Sequence, residues 1–170
     1  YYVSENGNDS NDGSLQKPIK TVAQVARLSL QAGDRVLFMR GSSFRTDVPL
    51  PVVSGVSYGA YGSGEKPTLL GSLKNYADFA AWSRTDIENV WQLSLPGEQQ
   101  AGVITFDGDE SCGRRRYALD KLEDNGDYYH DLDASTLYLY LKKRNPGDYF
   151  KSIEIGTTEA LIGGTGVKNV

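Results

Sequence analysis

The stretch KPIKTVAQVARLSLQAGDRVLFMR, from Lys17 to Arg40, changes its hydrophobic period partway along, and that change limits what the chain can fold into. Over Thr21 to Leu30 the apolar residues Val22, Val25, Ala26 and Leu28 recur at helical spacing, with Pro18 fixing the approach and Thr21 placed to cap the first turn. The pattern predicts one short amphipathic helix. After Gly33 and Asp34, the run Val36, Leu37, Phe38, Met39 is too short for a helix and strongly β-prone, so it predicts a buried strand that the helix covers. From Val36 onward Gly, Pro and Asp punctuate the chain too often for a second long helix, and the remainder predicts as almost all β.

At 170 residues the chain fits one domain, or one domain with a small lobe, and can bury a core. Its 19 glycines and 11 tyrosines fit a turn-rich β protein with an aromatic surface. A net charge of −4 with no basic stripe argues against a nucleic-acid partner. Arg114, Arg115 and Arg116 form the one basic cluster, and Asp120, Glu123, Asp124 and Asp127 follow it closely, which predicts local pairing.

Cys112 and His130 are each the single residue of their kind, so neither an internal disulfide nor a four-ligand structural zinc site can form. No run approaches the ~20 apolar residues of a membrane span. The chain starts on strand-like Tyr1-Tyr2-Val3 without a charged, apolar leader, and the expectation is that a signal region was removed or never present.

The loop from Glu5 to Pro18 is dense in Asx-turn chemistry at Asn8, Asp9, Asn11, Asp12 and Gly13. Counted from Asn8, oxygen donors fall at positions one, three and five of a calcium loop and Gly13 at six, but Ile19 stands at twelve where such a loop needs Glu. The main expectation is a self-hydrogen-bonded turn; the alternative is a looser Ca2+ site on Asp9 and Asp12, the one cofactor considered. Asn8-Asp9-Ser10 also fits the short glycosylation sequon.

YYVSENGNDSNDGSLQKPIKTVAQV followed by LQAGDRVLFMRGSSFR resembles the N-terminal signature of secreted right-handed parallel β-helix proteins of the pectate-lyase-like superfamily. The resemblance is carried by Tyr2, Gly7, Asp9, Gly13, Pro18, Lys20, Thr21, Gly33, Asp34, Val36 and Gly41, and it covers roughly the first seventy residues. It implies a mainly β fold in which residues 1–74 form a cap helix and the first coils of a right-handed parallel β-helix. The apolar run at Val56, about twenty residues after Val36, has the spacing of one solenoid coil, and a helix over the open end would block edge-to-edge pairing.

Residues 75–150 have a different texture. Trp91, Leu93 and Leu95 alternate with Gln92 and Ser94, and Leu137, Leu139 and Leu141 alternate with Tyr138 and Tyr140. Together with shorter runs between them, they predict an inserted antiparallel β lobe of sandwich type, which resembles insertions carried by several β-helix carbohydrate enzymes. Residues 151–170 then read as a return to the solenoid. Its truncated, uncapped end leads us to expect the remainder of a longer β-helix chain beyond Val170.

The chain contains no HExxH, GxSxG or phosphate-loop motif and no Ser-His-Asp set in a supporting order. Asp107, Asp109 and Glu110 are the nearest thing to a glycosidase carboxylate pair, but Phe-Asp-Gly-Asp-Glu reads as a solvated hairpin turn. Asp131-x-Asp133-x-Ser135 begins like a calcium loop and then departs from it at Thr136 and Lys142. His130 beside Asp131 is a poor base pair because strand neighbours face opposite ways, and a half-exposed structural histidine is expected instead.

Aromatics carry the better signal, since sugars present flat C–H faces edged by hydroxyls that exposed rings and polar neighbours can hold. The candidate carbohydrate-binding residues are Trp82, Tyr128, Tyr129, Tyr138 and Tyr140, with Asp127 and the three arginines as polar partners; Trp91 shares a face with Leu93 and Leu95 and reads as core. The resemblance implies the N-terminal part of an extracellular polysaccharide-acting lyase or glycoside hydrolase of bacterial type, secreted, periplasmic or at the cell surface. Its catalytic coils would lie past residue 170, so the chain alone is expected to show no turnover. The alternative is a non-catalytic carbohydrate-binding, adhesive or structural module.

Overall fold

The structure, a computed structural model, describes residues 1–97, 99–108, 110–142 and 144–170. In chain order it contains β1 (Tyr2–Val3), the single helical turn α1 (Val22–Val25), β2 (Arg35–Met39), β3 (Ser43–Arg45), β4 (Leu50–Pro51), β5 (Ser57–Tyr61) and β6 (Thr68–Leu70). There follow β7 (Trp82–Arg84), β8 (Val90–Ser94), β9 (Val103–Phe106), β10 (Ser111–Cys112) and β11 (Arg114–Arg115). The chain continues through β12 (Asp127–Asp131), β13 (Thr136–Tyr140), the turn α2 (Pro146–Tyr149), β14 (Ile153–Gly156) and β15 (Ile162–Gly163). Contacts divide it into two compact units, Tyr1–Gly71 with Ala160–Val170, and Ser72–Glu159.

In the first unit β1, β2 and β5 form one parallel sheet, β3 pairs with β6, and β4 pairs with β15, also in parallel. Val3, Val22, Val25, Val36, Phe38, Phe44, Leu50 and Val56 make its core. Phe38 and Phe44 meet edge to face at 5.0 Å. The loop before α1 is held by its own side chains: Asn8 Oδ1 accepts from the Ser10 N–H at 2.9 Å and Asp12 Oδ1 from the Ser14 N–H at 2.8 Å.

The expected helix over Thr21 to Leu30 contracts to four residues. Thr21 Oγ1 does cap it, accepting from the Gln24 N–H at 3.1 Å. Beyond Val25, however, the N–H groups of Arg27 and Leu28 reach back only three residues, to Gln24 and Val25, so the ladder tightens and stops. A single turn depends on the burial of Val22 and Val25 for its stability.

A right-handed parallel β-helix with a cap helix is therefore not what the chain forms. Among the described residues the strands are shared among five small sheets of mixed direction, the largest mostly antiparallel, and α1 is too short to cover a sheet end. The spacing from Val36 to Val56 does bring two strands together, with Val36 opposite Tyr58, but that sheet stops at three strands. Repetition at one coil length is a local signal, and it does not ensure that pairing propagates. Further β-helix coils past Val170 were expected only as a continuation of that solenoid, which the described residues do not form.

The second unit joins two sheets through one core. The first has the order β11-β12-β13-β8-β7, antiparallel except for β11 against β12, and the second is an antiparallel β10-β9-β14. Trp82, Trp91, Leu93, Tyr128, Leu137 and Leu139 from the larger sheet share a cluster with Ile104, Phe106, Ile153 and Ile155 from the smaller. Strand β14, expected as the return to a solenoid, instead pairs with β9, Ile153 opposite Phe106. The Ile155 N–H also donates to Ser72 Oγ at 3.0 Å, which helps explain why this unit spans Ser72–Glu159 where 75–150 was expected. Buried indoles keep partners: Trp82 Nε1–H donates to Tyr76 O at 2.8 Å and Trp91 Nε1–H to Leu141 O at 3.1 Å.

Each core is testable by one substitution. Val25 is fully buried, so Val25→Asp places a charge among apolar side chains and should cost several kcal/mol, leaving the chain insoluble or unfolded; a soluble variant with an unchanged melting temperature would show that α1 does not pack as described. Leu139→Ala, in the second core, should lower stability by about 2–5 kcal/mol in denaturant titration.

Candidate functional site

The alternation of β12, β13 and β8 sorts their side chains by face. Leu137 and Leu139 turn inward opposite Leu93 and Trp91, so Tyr138 and Tyr140 turn outward. Tyr129 lies directly opposite Tyr138, and the two rings stack at 6.2 Å with an interplanar angle of 11°. Both are half-buried. Tyr140 stands further along the same face; its hydroxyl accepts from Asn89 Nδ2 at 3.5 Å, and Lys142 Nζ lies 5.9 Å from its ring.

Two of the expected sugar-contacting rings are core residues instead. Trp82 is 4 % exposed and Tyr128 1 %, with the Tyr128 hydroxyl donating to Gly102 O at 2.9 Å. Neither offers a ring face to a ligand. Period-two alternation explains Tyr128, which shares the inward side with Leu139, and Trp82 pairs with Leu93 on the same side.

Strand β11 is fastened beside this face by Asp127, whose side chain is 1 % exposed. Arg114 Nε–H donates to Asp127 Oδ1 at 2.8 Å, and the backbone N–H groups of Glu123 and Asp124 donate to Oδ2 at 3.1 and 3.2 Å. Arg116 Nε lies 3.0 Å from Oδ2, an ion pair whose N–H is not aligned as a hydrogen bond. Arg114 also reaches Asp124 at 2.6 Å. Burial pushes the Asp127 carboxyl up, but the Arg114 hydrogen bond, the two backbone donors and Arg116 together outweigh it and hold it down at about 2. The local pairing read from the acidic run is thus carried mainly by Asp127 and Asp124.

With Arg114 and Arg116 committed to Asp127, Arg115 points the other way. Its guanidinium lies 5.3 Å from the Tyr117 ring centre, and Nη2–H donates to Gln100 Oε1 at 3.2 Å. A cleft of ≈ 380 Å³ opens here, lined by Gln100, Arg115, Arg116, Tyr117, Tyr129, His130, Asp131, Leu132 and Asp133. It combines two ring surfaces with amide, guanidinium and carboxylate groups, a chemistry suited to an uncharged polyhydroxylated ligand. Gly113 permits the approach of the strand before it, because a Cβ there would stand 2.9 Å from the Tyr128 ring.

His130 is a structural residue, more buried than expected. The Ala101 N–H donates to Nδ1 at 3.0 Å, so Nδ1 carries no proton and Nε2–H donates to Leu95 O at 3.2 Å. Burial lowers its pKa, so the neutral ring is favoured and acts as a tie between segments, not as a base. Asp107 Oδ1 accepts from the N–H groups of Lys151 and Ser152 and so clamps the β9–β10 turn to the start of β14. Glu110 is exposed, and Asp109 lies outside the described residues. Asp131 Oδ1 accepts from the Ala134 N–H at 3.0 Å and closes the β12–β13 turn.

The loop carboxylates proposed for Ca2+ are likewise engaged with the chain. Asp9 Oδ1 accepts from the Lys20 and Thr21 N–H groups, and Oδ2 from the Thr21 hydroxyl at 2.7 Å. Asp12 serves its own turn through Ser14. Among the described residues no group of three or more His, Cys, Asp or Glu is placed to hold a metal ion. No helix among them is long and apolar enough to cross a membrane.

Asp127 predicts an acid-sensitive lobe. Its folded pKa lies below the usual 3.8, so its stabilisation is fully present above that value and is lost as pH falls through about 2. At about 1.4 kcal/mol for each tenfold change in proton affinity, the contribution is at most about 2 kcal/mol, since Arg114 is half exposed and screened. Asp127→Asn should be less stable than the parent at neutral pH and should lack this decline in acid; matching pH profiles for the two proteins would refute the assignment.

No protein-family model matches the sequence, and no curated protein matches it. Among solved structures, the chain is similar to the complex of XylC with xylose, 18 % identical over 95 % of this chain and 32 % of that one, with a TM-score of 0.72. It is also similar to a glycoside hydrolase, 14 % identical over 96 % of this chain and 47 % of that one, with a TM-score of 0.62. A lacto-N-biosidase of family GH136 from Eubacterium ramulus aligns at 38 % identity over 51 % of this chain and 15 % of its own, but its TM-score of 0.38 carries no structural argument. The chain thus spans about a third of the length of one of the neighbours that share its fold and about half of the other. At these identities the likeness is one of fold. The structures that share the fold are the XylC–xylose complex and a glycoside hydrolase, and the pectate-lyase-like assignment that the N-terminal motif suggested is set aside.

Proposed function

We propose that this chain is a carbohydrate-binding part of a polysaccharide-processing protein that works outside the cytoplasm, and that its second unit holds the sugar. The observation that carries the reading is the stacked pair Tyr129 and Tyr138 on the outer sheet face, with Tyr129 forming one side of the polar cleft at Gln100, Arg115 and Asp131. A pyranose ring resting against these tyrosines would bury its C–H face, while its hydroxyls meet amide, guanidinium and carboxylate groups at hydrogen-bonding range. The shared fold with a xylose complex and with a glycoside hydrolase supports the same class of ligand. Binding, not cleavage, is the role assigned here, because Asp107 and Asp131 are tied into turns and His130 into the core.

Stacking on a shallow face is individually weak, so affinity should be modest. In affinity electrophoresis through gels cast with xylan, polygalacturonate or alginate, the parent chain should be retarded by at least one polymer. The double variant Tyr129→Ala, Tyr138→Ala should lose that retardation by about tenfold or more while keeping its melting temperature to within a few degrees. Equal retardation of parent and variant would move the sugar away from this face; retardation by no polymer would favour a protein-binding or structural module.

A further inference from the structure

The cleft beside Tyr129 has a neighbour. A second hollow of ≈ 380 Å³ adjoins it, lined by Arg115, Arg116, Tyr117, Ala118, Lys121 and Glu123. The two hollows share Arg115, Arg116 and Tyr117 and nothing else. Tyr117 lines both, and it is 82 % exposed, the most exposed large apolar side chain among the described residues. An isolated exposed tyrosine needs no explanation. This one is braced, because the Arg115 guanidinium lies over its ring at 5.3 Å while the same side chain is tethered to Gln100.

The ground on both sides is also held in place. Toward Tyr129, the Asp131 turn is closed by Ala134. Toward Lys121, the chain makes a 3-10 turn over Leu119–Lys121, with the Lys121 N–H donating to Ala118 O at 3.2 Å and Lys121 Nζ paired to Asp120 at 3.0 Å. Arg116, common to both hollows, is fixed from beneath by Asp127. A raised ring flanked by two open hollows, each with polar groups at its edge, has the layout of adjoining sugar positions on one strand of polymer.

Resting on the carbohydrate-binding role proposed above, we infer that Tyr117 separates two adjoining subsites and sets a requirement for ligand length: the ligand is an oligosaccharide run that passes over Tyr117, one unit in the Tyr129 cleft and at least one in the Lys121 hollow. A single sugar fills one hollow and leaves the outer face of Tyr117 bare. A longer run covers it, and the ring stacks on the unit at the crossing.

The test is a binding series by calorimetry with oligosaccharides from monosaccharide to hexasaccharide, cut from the polymer that retards the chain most. For the parent, affinity should rise by about tenfold between the monosaccharide and the length that spans both hollows, then level off. Tyr117→Ala should keep the weak monosaccharide affinity and lose the rise; Tyr117→Trp should restore it. Because the side chain is exposed, both variants should melt as the parent does. Affinity independent of length in the parent, or the same rise in Tyr117→Ala, overturns the two-subsite arrangement and leaves the Tyr129 cleft standing. Binding of no oligosaccharide by the parent removes both proposals.

Discussion

A carboxylate with 1 % of its side chain exposed at the start of a strand is tolerable only when donors converge on it, and Asp127 has that convergence. Arg114 and two backbone N–H groups satisfy its oxygens, and Arg116 adds charge. Strand β11 is only two residues long, too short to hold itself against β12 by ladder bonds alone. The Asp127 cluster is what fixes it. Once Arg114 and Arg116 are bound on one side, alternation sends Arg115 to the other, where it meets Tyr117 and Gln100. The cleft is therefore a by-product of how one buried charge is neutralised.

Much of the second unit could be read from the sequence because its information is local. Leu137, Leu139 and Leu141 alternate with Tyr138 and Tyr140, and the structure keeps that sorting without exception. Trp91 went with Leu93 and Leu95 for the same reason. Tyr128 and Tyr129 were both expected to meet a ligand, although neighbours in a strand face opposite ways; the register of β12 on β13 sends Tyr128 inward. Tyr117 was passed over because it lies beside three arginines read together as one charge cluster. Only their division into inward and outward members exposes its role.

The first unit was harder to read because its determining contacts are between distant residues. Local turn chemistry and hydrophobic spacing indicated an Asx-rich loop, a Thr21 cap and a buried strand at Val36, as observed. That local information did not determine how many strands join the one at Val36, since each parallel neighbour must come from a separate stretch of chain. Strand β14 shows the same limit. Its Ile153 and Ile155 alternate as any half-buried strand would, and the pattern is silent on whether the partner is β9 or a strand of the other unit.

The position of the candidate site at the β11 edge has its own physical logic. An edge strand exposes unpaired N–H and C=O groups to any passing strand, and charged side chains with a very short length are the usual deterrents. Strand β11 has both, since Arg114 and Arg115 occupy its two positions and Arg116 follows. At the opposite edge of the same sheet, β7 ends on Arg84, whose guanidinium covers the Trp91 ring at 4.9 Å. Each edge thus carries an arginine against an aromatic ring. At β7 the ring is buried and the arrangement simply closes the sheet. At β11 the ring is Tyr117, which stands clear of the surface, so the same protective device leaves an aromatic face open to solvent and flanked by hydrogen-bonding groups. On the carbohydrate-binding role proposed above, a strand end that resists another strand's backbone is still suited to a sugar, because a sugar ring asks for a flat apolar face and scattered polar partners and makes no demand on an unbroken ladder of N–H and C=O groups.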